Sequence, residues 1–230
     1  MSGKISIIKY LSMGALGALL FLFSDFIMIY GDPTPLSNKV GTLTVGISQV
    51  PAWKNNLAMA IGFIAIFPYS VGLFSLENLI TNKTKKTIYH YLNIIGLTQW
   101  LLLHFIFIAL FYAFHFMMTE GYKDVAVPIS EALFHHFIWI IPVCLILMAP
   151  SFAYYLWLTI RGHTLLNKYM GLLHMAVFMI VLSVIKMFLP ESSFKIGFSN
   201  ALSNISILLY FICLIIYFAF SSKNTKKDNK

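Results

Sequence analysis

Five of the seven histidines fall between positions 88 and 136, and with the few acids near them they are the residues equipped to bind a metal, move a proton or hold a polar ligand. Asn93, His104 and His115 recur every eleven residues. On an α-helix that is three turns, so they form one stripe with Leu97, Trp100, Ile108 and Phe111. Glu131 and His135, four apart, share a second face that runs on through Ile138, Pro142, Leu145 and Ala149. On an antiparallel pair of helices His115 and His135 fall near the same end. A catalytic zinc needs about three such ligands and a water, which His115, His135 and either Glu131 or Asp25 would have to supply. The sequence has neither H-E-x-x-H nor H-x-x-x-H, so these are weak metal candidates, and no metal or other cofactor is expected.

Composition decides what must position these groups. With 59% hydrophobic and 10% charged residues and a mean hydropathy of +0.82, the chain has too little polar surface to cover a water-soluble globule. A membrane helix needs about 20 apolar residues. Six runs qualify, at 10–30, 55–80, 88–118, 131–160, 169–189 and 201–220, followed by a basic tail at 221–230. The expectation is an all-α, polytopic membrane protein, a single domain over residues 1–230 with six transmembrane helices in a bundle.

The net charge of +8 does not point to nucleic acid, because of where it lies. Lys4, Lys9, Lys83, Lys85, Lys86, Arg161, Lys168, Lys223, Lys226, Lys227 and Lys230 fall on alternate loops and tails, eleven of the sixteen basic residues on one side. Lys39, Lys54, Lys123 and Lys195 fall on the other side, among most of the acids, and Lys186 lies inside a span. By the positive-inside bias both termini are cytoplasmic in a multi-pass protein of the cell membrane. The apolar run behind Lys9 is about 21 residues long with no A-x-A site after Phe23, so a cleaved secretory signal is not expected. Cys144 and Cys213 sit inside spans with no CxxC, as packing residues.

Small residues Gly14 and Ala18 share a face with Asp25, and Ala58, Gly62, Ala65, Tyr69 and Gly72 form a second small-residue stripe; both should pack closely against neighbouring helices. Pro68 permits a kink, the span with Pro142 and Pro150 should bend, and Glu77 has His90, Arg161 and Lys168 as possible partners. Ser199, Asn200, Ser203 and Asn204 read as caps or inward amides at the start of the sixth span. The loop 31–54 is long enough for a lid or binding loop, and its Trp53 and Lys54 suit an interface anchor.

Several short motifs together resemble an uncharacterised bacterial family of six-helix integral membrane proteins: Ser24-Asp25 through Gly31, Pro51-Ala52-Trp53-Lys54, Pro150-Ser151, Gly162-His163-Thr164 and Asn204-Ile205-Ser206. The resemblance implies a six-helix bundle and no particular activity.

Depth along the spans groups the polar residues. Asp25, His115, Glu131, His135, Lys186 and Asn204, with Asn200 beside them, fall within about 9 Å of the outer boundary at 1.5 Å per residue. They form a candidate ligand-binding set in an outward-facing polar pocket. Glu77, His90, Asn93, Arg161 and His174 fall toward the cytoplasm, leaving little beyond Gln99 and His104 between the two sets. A non-enzymatic protein that binds a lipid or small amphiphile, or scaffolds another membrane protein, asks least of these residues. A small-solute or ion transporter is the first alternative and a metal-dependent intramembrane hydrolase the second. The lipid bilayer is the expected partner, and the sequence does not set the oligomeric state.

Overall fold

Close helix approach is built first by glycine. In the computed structural model, which describes the backbone of residues 2–224 and the side chains of residues 6–220, helix α1 (Ser2–Ile29) packs along α3 (Ala52–Ser75) with Gly14 against Gly72. A Cβ on Gly72 would lie 2.1 Å from the Gly14 Cα, so neither position admits a side chain. The whole stripe Ala58, Gly62, Ala65, Tyr69 and Gly72 is buried in this seam. Ser24 ties its far end by donating its hydroxyl to the Ala58 carbonyl at 2.8 Å.

The other elements follow from their caps and breaks. Between α1 and α3 the loop carries α2 (Val45–Gln49), capped by Thr44. After a 3-10 turn at Leu76–Leu79, Asn82 caps α4 (Lys83–Thr119) by accepting from the Lys85 N–H at 3.0 Å. A tight turn with Gly121 at φ +90° leads into α5 (Lys123–Phe137), then α6 (Ile140–Ile160). A second 3-10 turn, Lys168–Leu173, precedes α7 (Met175–Phe188), and α8 (Ser193–Asn224) ends the described chain. No strand occurs among the described residues. Lys4 and the tail lysines Lys223, Lys226, Lys227 and Lys230 fall outside the residues whose side chains are described.

Helix α8 packs on the other side of α1 and carries α7 on its own far flank, while α4 pairs with α6 and, further along, with α5. Lys83, Lys85, Lys86 and Arg161 mark one end of the bundle, where Ile80 bridges to Thr164 and the Lys85 ammonium lies over the Trp157 ring. We call this the basic end and its opposite the loop end. The main core cluster runs through Leu11, Phe21, Tyr69, Tyr89, Tyr155, Tyr210 and Phe211; a smaller one at the loop end includes Met28, Leu43, Phe111, Phe114 and Phe134.

Two expected spans come out differently. The segment 131–160 is not one helix: α5 begins earlier, at Lys123, and the chain breaks at Ile138 and Trp139 before α6. Pro142 explains the position, since proline has no N–H for the carbonyl four residues back, that of Ile138, and its ring crowds the same oxygen. The Ile138 carbonyl instead accepts from the Ile141 N–H at 3.2 Å, a tighter turn. The segment 169–189 is likewise divided at His174, leaving α7 with 14 residues. Five helical stretches are long and apolar enough to cross a membrane: Ser6–Ile29, Ala52–Leu79, Lys83–Thr119, Ile140–Ile160 and Ser193–Phe220. Helix α7 is apolar but short of the required length. Helix α8 starts eight residues before the expected 201, so Ser199, Asn200, Ser203 and Asn204 lie inside it rather than capping it.

Candidate functional site, a cavity at the helix break

The break in α5–α6 leaves space. Helix α4 presents Leu103, Ile106, Phe107 and Leu110, spaced as one helical face, opposite Ala132, His135 and Ile138 of the broken segment and Ile141 of α6. Between them lies a cavity of about 830 Å³, completed by Lys39, Val40 and Thr42 from the long loop and by Asn200 from α8. Its wall is apolar, and its polar groups are few: Lys39, Thr42, Glu131, His135 and Asn200. That volume and that balance of lining suit a small molecule with a long apolar part.

Glu131 fastens the loop to α5. Its Oε1 accepts from the Ser37 hydroxyl at 2.6 Å and its Oε2 pairs with the Lys39 ammonium at 3.3 Å. The Ser37 oxygen also accepts from the Lys39 and Val40 N–H groups, at 3.1 and 2.9 Å, which bends the loop so that Ser37 and Lys39 reach the same carboxylate. His135, one turn along α5 from Glu131, is exposed, with its ring 6.1 Å from that of His136. Asn200 donates its amide to the Ile196 carbonyl of its own helix at 2.9 Å, which leaves its oxygen available to the cavity.

The six residues grouped by depth do not share one pocket. Glu131 and His135 line the cavity. Asp25, partly buried on α1, accepts from the Asn204 amide of α8 at 2.8 Å. His115 is buried at the far end of α4 and donates from Nε2 to the Val50 carbonyl, holding the chain where it turns into α3. Lys186 stands in the last turn of α7. Among the described residues no hydrogen bond or ion pair joins Asp25 to His115, His135 or Lys186, because α8 stands between α1 and α7 and brings its own Asn204 to the carboxylate. Nor do any three His, Cys, Asp or Glu side chains among the described residues converge as metal ligands. His115 bonds a backbone carbonyl, and Glu131 bonds Ser37 and Lys39.

The α4 stripe turns inward. Asn93, Leu97, Phe111 and His115 are buried, and His104 is half-buried, donating from Nδ1 to the Trp100 carbonyl at 3.0 Å and packing on Phe21 and Trp100. His104 also lines a second cavity of about 500 Å³ between α3 and α4, apolar in nearly all its lining. At the basic end, of the three possible partners of Glu77 it is His90 whose Nδ1 donates to the carboxylate, at 2.8 Å.

Sequence reasoning missed two groups. Ser37 and Lys39 were passed over because loop residues follow no helical period. The second group is a file of buried tyrosines: Tyr89 and Tyr155 with ring centroids 5.1 Å apart, and Tyr210 at 5.1 Å from His174. Tyr89 lies one turn before Asn93, so the stripe extended backward would have found it.

One family model matches residues 1–220, that of a family of unknown function (DUF6796), and the chain belongs to this family. No curated protein and no solved structure matches the chain.

Proposed function

We propose that this DUF6796 member is a six-span protein of the cell membrane, with both termini cytoplasmic, that binds a lipid or small amphiphile at its loop end, outward-facing. The carrying observation is the cavity of about 830 Å³ with an apolar wall and polar groups confined to Lys39, Thr42, Glu131, His135 and Asn200. The wall suits an acyl chain, and the polar groups suit a headgroup that both donates and accepts hydrogen bonds. For the sixth span, α7 contributes about 21 Å and the 3-10 turn before it about 12 Å, together near the 30 Å of a hydrocarbon core. The lysines and arginine of the basic end support its cytoplasmic placement. The cavity supports binding through Glu131 and His135; Asp25 with Asn204 ties α1 to α8, and His115 ties α4 to the chain before α3.

The experiment is a thermal-unfolding series in nanodiscs with a single-chain phospholipid as the probe. Binding to the folded state raises the midpoint with probe concentration by mass action. Ala132→Trp, which fills the cavity from an exposed α5 position, should abolish that rise. An equal rise in the variant and the parent chain defeats the reading. The break at Ile138 and Trp139 favours small-solute transport as a second reading, since transporters place substrate beside interrupted helices. Counterflow of solute in proteoliposomes, with no midpoint shift from the probe, would select it.

A further inference from the structure

The cavity at the helix break carries one charge of each sign at its loop side, held together by a single loose contact. Residues 32–46 of the long loop form a narrow hairpin: Pro35 bridges to Thr44, the Leu36 N–H donates to the Leu43 carbonyl at 2.8 Å, and the Val45 N–H donates to the Thr34 carbonyl at 2.9 Å. Leu43 is fully buried, which fixes the base of the hairpin, and the tip brings Lys39 to the cavity. The Lys39 side chain is 80% exposed, and its ammonium stands 3.3 Å from the Glu131 Oε2, a longer approach than a close charge-assisted hydrogen bond. Such a pair is weakly held, since water competes for the lysine.

Both partners have unused capacity. A lysine ammonium has three donors and a carboxylate about four lone-pair positions. Glu131 engages Lys39 once, and its own oxygens meet only Ser37 and Lys39. Among the described residues the cavity lining holds no other Asp, Glu, Lys or Arg. The wall behind the pair is apolar, so a ligand charge without an opposite partner would be costly to place there. A ligand with one charge finds one partner and one repelling neighbour, whereas a ligand with a phosphate and an ammonium close together finds a partner for each. Asn200, on the same lining, donates its amide to the Ile196 carbonyl and offers its oxygen. That oxygen and the Glu131 carboxylate are acceptors, which favours an ammonium that keeps its N–H donors over a quaternary one that has none.

We propose that the cavity selects amphiphiles with a phosphoethanolamine-type headgroup: the Lys39 ammonium donates to the ligand phosphate, the ligand ammonium donates to Glu131, and the acyl chain lies along the α4 face of Leu103, Ile106, Phe107 and Leu110. Binding exchanges one internal ion pair for two with the ligand. Ser37 keeps its hold on the Glu131 Oε1 throughout, so the carboxylate stays aimed while the exposed lysine turns. The inference rests on the amphiphile reading of this cavity and adds the headgroup class to it.

The test compares three single-chain phospholipids of one acyl length, with ethanolamine, choline and glycerol headgroups, by thermal unfolding of the full chain in phosphatidylcholine nanodiscs. The ethanolamine probe should reach half of its midpoint shift at a concentration about tenfold or more below the other two. In Glu131→Gln, whose amide oxygen can still accept from Ser37, its advantage over the glycerol probe should disappear. In Lys39→Met, a change at an exposed position, all three probes should weaken by about tenfold or more, because each brings a phosphate. Equal concentration dependence for the three probes, with Ala132→Trp abolishing every shift, overturns the headgroup inference and leaves the amphiphile reading standing. An ethanolamine preference that survives Glu131→Gln overturns it as well, since another group would then read the ammonium. No shift from any probe defeats the amphiphile reading and this inference with it.

Discussion

Helix α3 and the segment α5–α6 both carry proline at membrane depth, and only the second comes apart. Pro68 lies inside the continuous α3, buried in the α1 seam. Its neighbour Tyr69 is held from the other side by Gly17, where a Cβ would stand 2.3 Å from the Tyr69 nitrogen. Pro150 likewise sits inside an unbroken α6, next to Ser151, which faces Gly96 of α4. Exposure of the residue whose carbonyl each proline frees does not separate the three, since Ile64, Ile146 and Ile138 are 60%, 69% and 59% exposed. A proline alone therefore does not set a break, since Pro128 also lies inside an unbroken α5; Pro68 and Pro150 sit beside close glycine contacts with α1 and α4, whereas the chain just before Pro142 lines the cavity.

The strongest way to break this contrast is at the seam. Gly72→Leu drives a side chain into the Gly14 backbone, where no rotamer gives relief, and should cost about 3 kcal/mol or more and yield little folded protein in detergent. Ala132→Leu, placed in the open cavity, should stay within about 0.5 kcal/mol of the parent. Comparable losses at both positions, read from thermal unfolding, would erase the distinction between seam and cavity.

A smaller effect sharpens it from the other side. Pro142→Ala restores an N–H for the Ile138 carbonyl and should let α5 run into α6, with a stability change of about 1 kcal/mol or less. Spin labels at Ala132 and Leu145 should move toward the roughly 20 Å of a straight thirteen-residue helix. An unchanged distance would show that something other than Pro142 sets the break.

What the sequence disclosed and what it hid divide along the same line. Periodicity located the seam stripe on α3 and the inward face of α4, and put His90 among three possible partners of Glu77, because each is carried by helical spacing or by a short reach between helix ends. A bend in the segment that holds Pro142 and Pro150 was legible, but the full interruptions at Ile138 and His174 were not. Apolar content runs straight through Ile138 and His174, and nothing in the spacing says which proline will be clamped. The polar depth set failed as one pocket for a related reason: equal depth does not mean adjacency when α8 stands between Asp25 and Lys186. The cavity's loop side was hidden too, since Ser37 and Lys39 reach Glu131 through a turn that no period describes.

The least effect belongs to the loop that borders the cavity. Asp32 accepts from both the Thr34 hydroxyl at 2.7 Å and the Thr34 N–H at 2.9 Å, and these bonds, the hydroxyl first, hold its carboxyl below the usual carboxylate range. A carboxylate with a lowered folded-state value adds stability above the unfolded value of about 3.9, and that contribution is lost as pH falls through the folded one. Asp32→Asn should therefore shift the unfolding midpoint slightly near neutral pH, and the difference should shrink as pH falls from the unfolded value through the lowered folded one. A difference that grows on acidification would contradict the assignment.

Helix α4 bears on the membrane itself. Its 37 residues reach about 55 Å, and the uncharged stretch 88–118 alone reaches about 46 Å, against about 30 Å of hydrocarbon in an average bilayer. An upright α4 would hold oily surface in the headgroup layer, so the helix must lean, or the lipid beside it must stretch to match. Either adjustment makes the protein sensitive to bilayer thickness, with thicker, sterol- or long-chain-rich membranes asking less of it than thin ones.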